Sequence, residues 1–510
     1  MVLASIFTDG LVLQQGMPVK VFGYGKGTVS VDFLGDNVTE SFDGEEWCVT
    51  LPSYEYGGPY TMTVSLNGET TIISDIYVGE VWIASGQSNM EMPLFRVDHA
   101  FSEAENCYNE KIRFFDVPRR VERDVQKYGW PFICSDGKDT PWQICDTDSA
   151  LRFSAIGYYV AKELNRKLGV AVGIIGCYWG CRNIETFISR DYAHKSPILQ
   201  KIADEYNSMV QNTDMNEYRK ELDGMYEFIK QRVLEIDYDE IEKTKQLGLE
   251  YTRPCPLPGY PACYKKGPNH PDGIGVLYDS MVSRIVPYGA KGLLWYQGES
   301  NPTDYYDKYR VFMECMKEKF QNPSMKFYAV QLTGYRCTSV DKPSNTFVTD
   351  PITRAYTREA QQKAVDTLPD NYLISTMQID DIMDCHPKNK EVLAHRMVLK
   401  MLKYSYGFDV NCEQPVYDSA VFKEGKAYIK LKHADGLMSL DLNLVKMFIA
   451  DDSKELKKAK IEICGDTLVL SSPEVTNPTI VRFAFDSFYL GEHIMNDAGL
   501  PLGPFRTDDF

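Results

Sequence analysis

Ser88 lies in the stretch IASGQSNMEMPL, directly after VGEVWIA, an apolar and β-branched run that reads as a buried strand. A serine in a glycine-led turn at the end of such a strand has two readings. It is either part of a small polar loop or a nucleophile presented at the rim of a sheet. The tetrapeptide GQSN does not separate them, because short motifs recur by chance. A nucleophilic serine needs a base, and the base needs an orienting acid. Of the seven histidines (His99, His194, His270, His386, His395, His433 and His493), His386 has the most telling surroundings, DDIMDCHPKNK. Asp384 precedes it by two residues. In extended backbone, residues i and i+2 point the same way, and Pro387 favours an extended segment before it. The carboxylate then meets one ring nitrogen and leaves the other for the serine. A solvated surface loop would carry the same letters. Two further stretches offer donors to the oxyanion of ester attack. WYQGESN supplies the Asn301 side chain, and CYWGCRN supplies the Gly180 amide. Their plainer readings are an Asn capping the turn before Pro302 and a tight turn after a strand.

These residues must be positioned by something. EVWIASG, VAVGIIGCYWG, GLLWYQG and KFYAVQL read as buried strands. ALRFSAIGYYVAKELNRKLG and YDKYRVFMECMKEKF read as helices, the first stopped by Gly169. Strands alternating with helices imply an α/β domain with a parallel sheet covered on both faces, and such sheets place sites at the carboxyl ends of their strands. Ser88, Trp179-Gly180 and Gln297–Asn301 each follow a strand, so one rim is expected to gather them. Residues 1–78 show the short-strand rhythm of a small β-sandwich. Residues 79–410 are expected to form this α/β domain, interrupted at about 190–255 by a charged, solvated helical hairpin and then by the proline-rich PCPLPGYPAC. Strands return over 411–510 (AYIKLKH, KMFIADD, TLVLSS, TIVRFAF) as a second β-rich region.

Composition narrows the function. With 510 residues the chain exceeds one compact core, and 44% hydrophobic with 25% charged residues is a soluble globular profile. No apolar run is long enough to span a bilayer. A net charge of −17 argues against nucleic acid as a general partner. No signal peptide is visible at the N-terminus. The thirteen cysteines are scattered, with no metal-like pair. Free thiols in a reducing cytoplasm are therefore expected, with Cys177 and Cys181 as buried apolar thiols. No metal or cofactor is expected. Oligomeric state is not legible.

The ordered set of Ser, Gly, Asn and Asp-x-His is the SGNH-hydrolase pattern. Over nearly its full length the chain resembles the sialate O-acetylesterase family of carbohydrate esterases. The resemblance rests on LVLQQGMPVKVFGYG, GEVWIASGQSNM, FSAIGYYVAKEL, LYDSMVSRIVP, WYQGESN, the REAQ segment at Arg358–Gln361, DCHPKNK, VRFAF and NDAGLPLGPFRTD. It implies an SGNH-type three-layer α/β/α hydrolase domain with flanking β-rich regions. Ser88 would be the nucleophile, His386 the base and Asp384 its orienter. The Ser88 and Gly180 amides with the Asn301 side chain would form the oxyanion hole. Many SGNH enzymes place the acid three residues before the histidine, a slot that here is Met383. Gln87, Asn89, Trp179, Arg182, Glu299 and Arg358 are candidates for the sugar pocket, Arg182 being the candidate partner for a sugar carboxylate. The family's usual WGGT/S…I-E-x-W is here WGCRNIETF, so Cys181, Arg182 and Phe187 set this pocket apart. The implied activity is hydrolysis of acetyl esters on sugar hydroxyls. The rival substrates are acetylated xylo- or manno-oligosaccharides. The rival classes are a non-catalytic glycan-binding protein and a lipase or thioesterase.

Overall fold

The computed structural model describes residues 2–119, 141–218, 220, 267–268, 270–301, 303–336, 352–379, 381 and 383–509. They fall into two compact units, residues 1–300 with 307–328, and 301–306 with 329–510. PCPLPGYPAC and most of the expected helical hairpin lie outside the described residues. From the hairpin region, a helix Pro197–Gln211 is present, capped by Ser196.

The first unit opens with β1 (Val2–Leu3), β2 (Val12–Gln14), β3 (Pro18–Tyr24), β4 (Gly27–Phe33), β5 (Asp36–Phe42), β6 (Glu46–Ser53) and β7 (Gly57–Leu66). β1, β3 and β6 form one small sheet, while β4 pairs with β5 and β7. β8 (Glu69–Gly86) is a single strand of 18 residues. Its first half pairs antiparallel with β7 and is largely exposed. From Tyr77 onward every residue is buried, and this half lies parallel between later strands. The boundary expected near residue 79 therefore falls inside an unbroken strand. What changes there is burial, while the backbone runs on.

β9 (Asn109–Asp116), β10 (Gln143–Cys145), β11 (Val172–Tyr178), β12 (Gly292–Tyr296) and β13 (Lys326–Val330) complete the central sheet of this unit, in the order β10-β9-β11-β8-β12-β13. β9, β11, β8 and β12 are parallel, as the two-faced apolar runs of β8, β11 and β12 predict. The short edge strand β10 is antiparallel, so the sheet is mixed. Helices pack on it. Ala155–Leu168 is started by the Ser154 hydroxyl, which accepts from the Gly157 amide, and ends at Gly169 with φ 72°. The ring of Phe312, from the helix Tyr305–Lys319, lies 4.3 Å from that of Trp295 in β12. One buried charge sits at the centre of β8. The Glu80 carboxylate takes bonds from Tyr56 (2.5 Å) and Gln14 (3.3 Å) and pairs with Lys291 at 3.2 Å. Together these offset the large cost of dehydrating it.

The second unit contains β14 (Asn371–Ile374) and the helices Thr353–Thr367 and Lys390–Tyr406. Then come β15 (Val416–Lys423), β16 (Lys426–Lys432), β17 (Met447–Ala450), β18 (Lys457–Lys458), β19 (Lys460–Cys464), β20 (Thr467–Ser471), β21 (Ile480–Phe483) and β22 (Phe505–Arg506). They form two four-stranded antiparallel sheets, β15-β16-β20-β19 and β18-β17-β21-β22. Alternate residues Ile429 and Leu431, Leu468 and Leu470, Met447 and Ile449, and Val481 and Phe483 point into one shared core. The molecule is thus mixed α/β with β-rich flanks.

Candidate active site

The register of the central sheet brings the suspected loops together. Gly86 of β8 is paired with Tyr178 at the end of β11 and with Tyr296 at the end of β12. The three chains therefore leave the sheet at one level, as Gln87-Ser88, Trp179-Gly180 and Gln297-Gly298. The exits are stitched by backbone bonds: Gln87 N–H donates to Tyr296 O (3.0 Å) and Trp179 N–H to Gly86 O (3.1 Å). Gly86 has φ 137°, and a Cβ there would stand 2.8 Å from the Tyr296 carbonyl carbon and 3.0 Å from its amide nitrogen. Only glycine permits this approach.

Ser88 is the first residue of a one-turn helix, Ser88–Glu91. Gly180 lies against it. A Cβ on Gly180 would be 3.4 Å from Ser88 Cβ and 3.1 Å from Glu91 Oε2. The Gly180 N–H, one of the expected oxyanion donors, donates to Glu91 Oε2 at 2.5 Å. Glu91 Oε1 is 3.6 Å from the buried Arg119 guanidinium, which also lies 3.9 Å from Asp116 Oδ2. Burial, partly countered by Arg119, pushes the Asp116 carboxyl up to about 6.

The expected sugar-pocket residues of this unit divide in two. Asn89 donates from Nδ2 to Glu299 Oε1 at 2.6 Å. The buried Gln87 Oε1 and Glu299 Oε2 receive no hydrogen bond among the described residues. Arg182, by contrast, is committed. It forms an ion pair with Asp272, donates from Nε to Gly180 O at 2.9 Å and stacks 5.8 Å from the Trp179 ring centroid. Trp179 and Phe187 are both buried. Cys177 is buried and burial pushes its thiol up. Cys181 is exposed, against the expectation of a buried thiol, because the chain turns outward there in a left-handed conformation with φ 60°.

In the second unit Asn301 is buried. Arg358 is 2% exposed and its guanidinium donates to the carbonyls of Ala484 and Asp486, a use internal to that unit. Around His386 the backbone differs from the expected extended segment. The Asp384 N–H donates back to Asp381 O at 3.2 Å. Asp384 Oδ1 accepts the His386 backbone N–H at 2.8 Å, the bond of an Asx-turn. That turn brings the same oxygen to 3.5 Å from His386 Nδ1. Asp384, Cys385 and His386 also form the one group among the described residues whose ligand atoms, all within 4.8 Å of one another, suit a metal ion. Downstream, the Asn389 side chain accepts from Val392 N–H and starts the helix Lys390–Tyr406, and Arg396 of that helix donates to the Ser375 and Met377 carbonyls at 2.9 Å each. The loop is therefore anchored at its exit.

Glu91, Arg119 and Asp272 were not anticipated. Glu91 carries a sequence signal, since Ser-x-x-Glu at a helix start is capping-box spacing. Its carboxylate reaches across to Gly180 instead. Arg119 and Asp272 carry no local signal.

Residues 264–403 match the model of a family described as carbohydrate esterase, sialic acid-specific acetylesterase. The sialate O-acetylesterase of Rattus norvegicus is 23% identical over 445 residues, covering 79% of this chain and 73% of that protein. The sialate O-acetylesterase of Mus musculus is 24% identical over 434 residues, with the same coverage. The crystal structure of a carbohydrate acetylesterase from Xanthomonas citri superposes with a TM-score of 0.74 and 25% identity over 100% of both chains. Over most of its length the chain is thus similar to sialate O-acetylesterases and to a carbohydrate acetylesterase of known structure.

Proposed function

We propose that the protein is a serine carbohydrate O-acetylesterase. The observation that carries the reading is the common exit level of β8, β11 and β12, which packs Gly180 against Ser88. Ser88 Oγ attacks the acetyl carbonyl of a sugar ester, and His386 takes its proton. Asp384 holds the imidazole through Nδ1 and stabilises the cation that forms. The tetrahedral oxyanion draws on the Ser88 and Gly180 amides and the Asn301 side chain. Collapse expels the sugar alkoxide, which recovers the proton from His386. Water, activated by the same imidazole, then releases acetate and regenerates Ser88. No step in this reading calls for a metal or cofactor. Gln87 Oε1, one residue before Ser88, and Glu299 Oε2, on the carboxylate that holds Asn89, are buried acceptors that suit sugar hydroxyl donors.

Sialate O-acetyl esters are the substrates in the relatives' names. A second reading, neutral acetylated xylo- or manno-oligosaccharides, is favoured by one observation: Arg182 is neutralised by Asp272. A reducing, cytoplasmic setting suits the nine described cysteines, none of them in a disulfide. Among the described residues no helix is long and apolar enough to cross a membrane. The test is acetate release from a panel of acetylated sialosides, xylo-oligosaccharides and manno-oligosaccharides, with a serine-directed phosphonate as covalent probe. Ser88→Ala should abolish release and labelling together. Full activity in Ser88→Ala, or labelling at another serine, refutes the reading.

A further inference from the structure

The Gly180 amide has two claimants. In the structure its N–H donates to Glu91 Oε2 at 2.5 Å, yet the reaction proposed above asks the same N–H for the oxyanion. One N–H makes one well-aligned bond, and a carboxylate at that distance also opposes any negative charge developing beside it. Ser88 and Glu91 stand three residues apart on one helical turn, so both face the same side. The space over Gly180 is bordered by both: Ser88 Cβ at 3.4 Å and Glu91 Oε2 at 3.1 Å from a Cβ position. On its other side Glu91 has a second attachment, the buried Arg119 guanidinium at 3.6 Å from Oε1. Asp116, 3.9 Å from Arg119, shares that cation.

We infer that Glu91 is a positioning residue that latches the Gly180 peptide in the resting enzyme, and that it yields the N–H to the oxyanion by drawing toward Arg119 during acylation. The inference rests on the Ser88 reading. Glu91 touches no reacting atom in this scheme. It sets how readily Gly180 becomes a donor.

The test uses Glu91→Gln, which keeps an acceptor oxygen and the side-chain shape but removes the charge. An alkylboronic acid captured by the serine forms a tetrahedral anion and reports oxyanion stabilisation directly. Relative to wild type, Glu91→Gln should bind the boronic acid about 10-fold more tightly, while KM for a neutral aryl acetate stays within about 2-fold. Glu91→Asp, one methylene shorter, should retain the Arg119 pairing, lose its reach to Gly180 and shift boronic acid affinity the same way. If both variants fold, judged by circular dichroism, and boronic acid affinity is unchanged or falls in step with kcat, Glu91 is a fixed brace and the latch is wrong. Hydrolysis surviving in Ser88→Ala would instead overturn the parent reading, whatever Glu91 does.

Discussion

Gly86→Ala tests the geometry of the rim itself. The added Cβ would lie 2.8 Å from the Tyr296 carbonyl carbon and 3.0 Å from its amide nitrogen, both backbone atoms of the neighbouring strand. Comfortable carbon contacts are about 3.5–4.0 Å, so β8 and β12 must separate by roughly 1 Å at their ends. Two costs add. A non-glycine residue at φ 137° costs about 1–3 kcal/mol, and overpacking a tight contact costs a further 1–3 kcal/mol or so. The sum, roughly 2–6 kcal/mol, is a large share of an ordinary domain's stability. Because Gln87 bonds to Tyr296 O, the separation is passed directly to Ser88. A displacement of about 1 Å at a reacting group costs on the order of 100-fold in rate. The assay is urea unfolding for stability and aryl acetate hydrolysis for kcat. Gly169→Ala is the control: φ there is also positive, at 72°, but no heavy atom lies within 4 Å of its Cβ position. It should lose about 1–2 kcal/mol and keep its kcat. A Gly86→Ala protein with wild-type stability and kcat, or a control equally damaged in kcat, would refute the reasoning.

Other outcomes follow from the same geometry. Asp384→Asn should lower kcat by at least about 10-fold with the fold intact by circular dichroism, whereas Asp381→Asn, whose Oδ1 accepts only the Met383 amide among the described bonds, should have far less effect; Asp380 lies outside the described residues. Asp116 has a folded pKa of about 6, above its unfolded value near 3.9. Its contribution to stability is therefore fully present below about pH 4 and lost as pH rises through about 6, with a slope of at most about 1.4 kcal/mol per pH unit. Denaturant titrations at pH 4 to 7 should show that slope in wild type and not in Asp116→Asn. Chelators should leave esterase activity intact, and added zinc should inhibit by occupying Asp384, Cys385 and His386, with Cys385→Ala less sensitive; activity lost to chelation and restored by zinc would reverse that assignment.

How legible all this was depends on where the determinants lie. The strand exits at Ser88, Gly180 and Gln297 were readable, because a two-faced apolar run followed by small residues is a local pattern. The proximity of Asp384 to His386 is legible in the sequence, but the conformation that produces it is not. Alternation implies extended backbone, whereas the carboxylate captures the His386 N–H and folds the segment into an Asx-turn that reaches a similar end. The latch on Gly180 joins residues 89 positions apart, and the Arg182–Asp272 pair joins residues 90 apart. No window of sequence contains either. The division expected near residue 79 falls within the strand Glu69–Gly86 for a related reason. Burial becomes continuous from Ile76, and a change of environment along one strand looks in sequence like the end of a domain.

The placement of β8 also has a consequence for the order in which the chain is made. Its carboxyl end is hemmed by β11 on one side and by β12 on the other. β12 begins at Gly292, 206 residues after Gly86 (292 minus 86). At roughly 5–20 residues per second on the ribosome, the serine turn spends about 10–40 s with one flank bare. During that interval the Gln87 amide has no Tyr296 carbonyl to receive it. The nascent chain acquires Ser88 early and the strand that flanks it late, so on the proposed reading a ribosome-bound chain ending before residue 292 should carry Ser88 in a form that the phosphonate does not label.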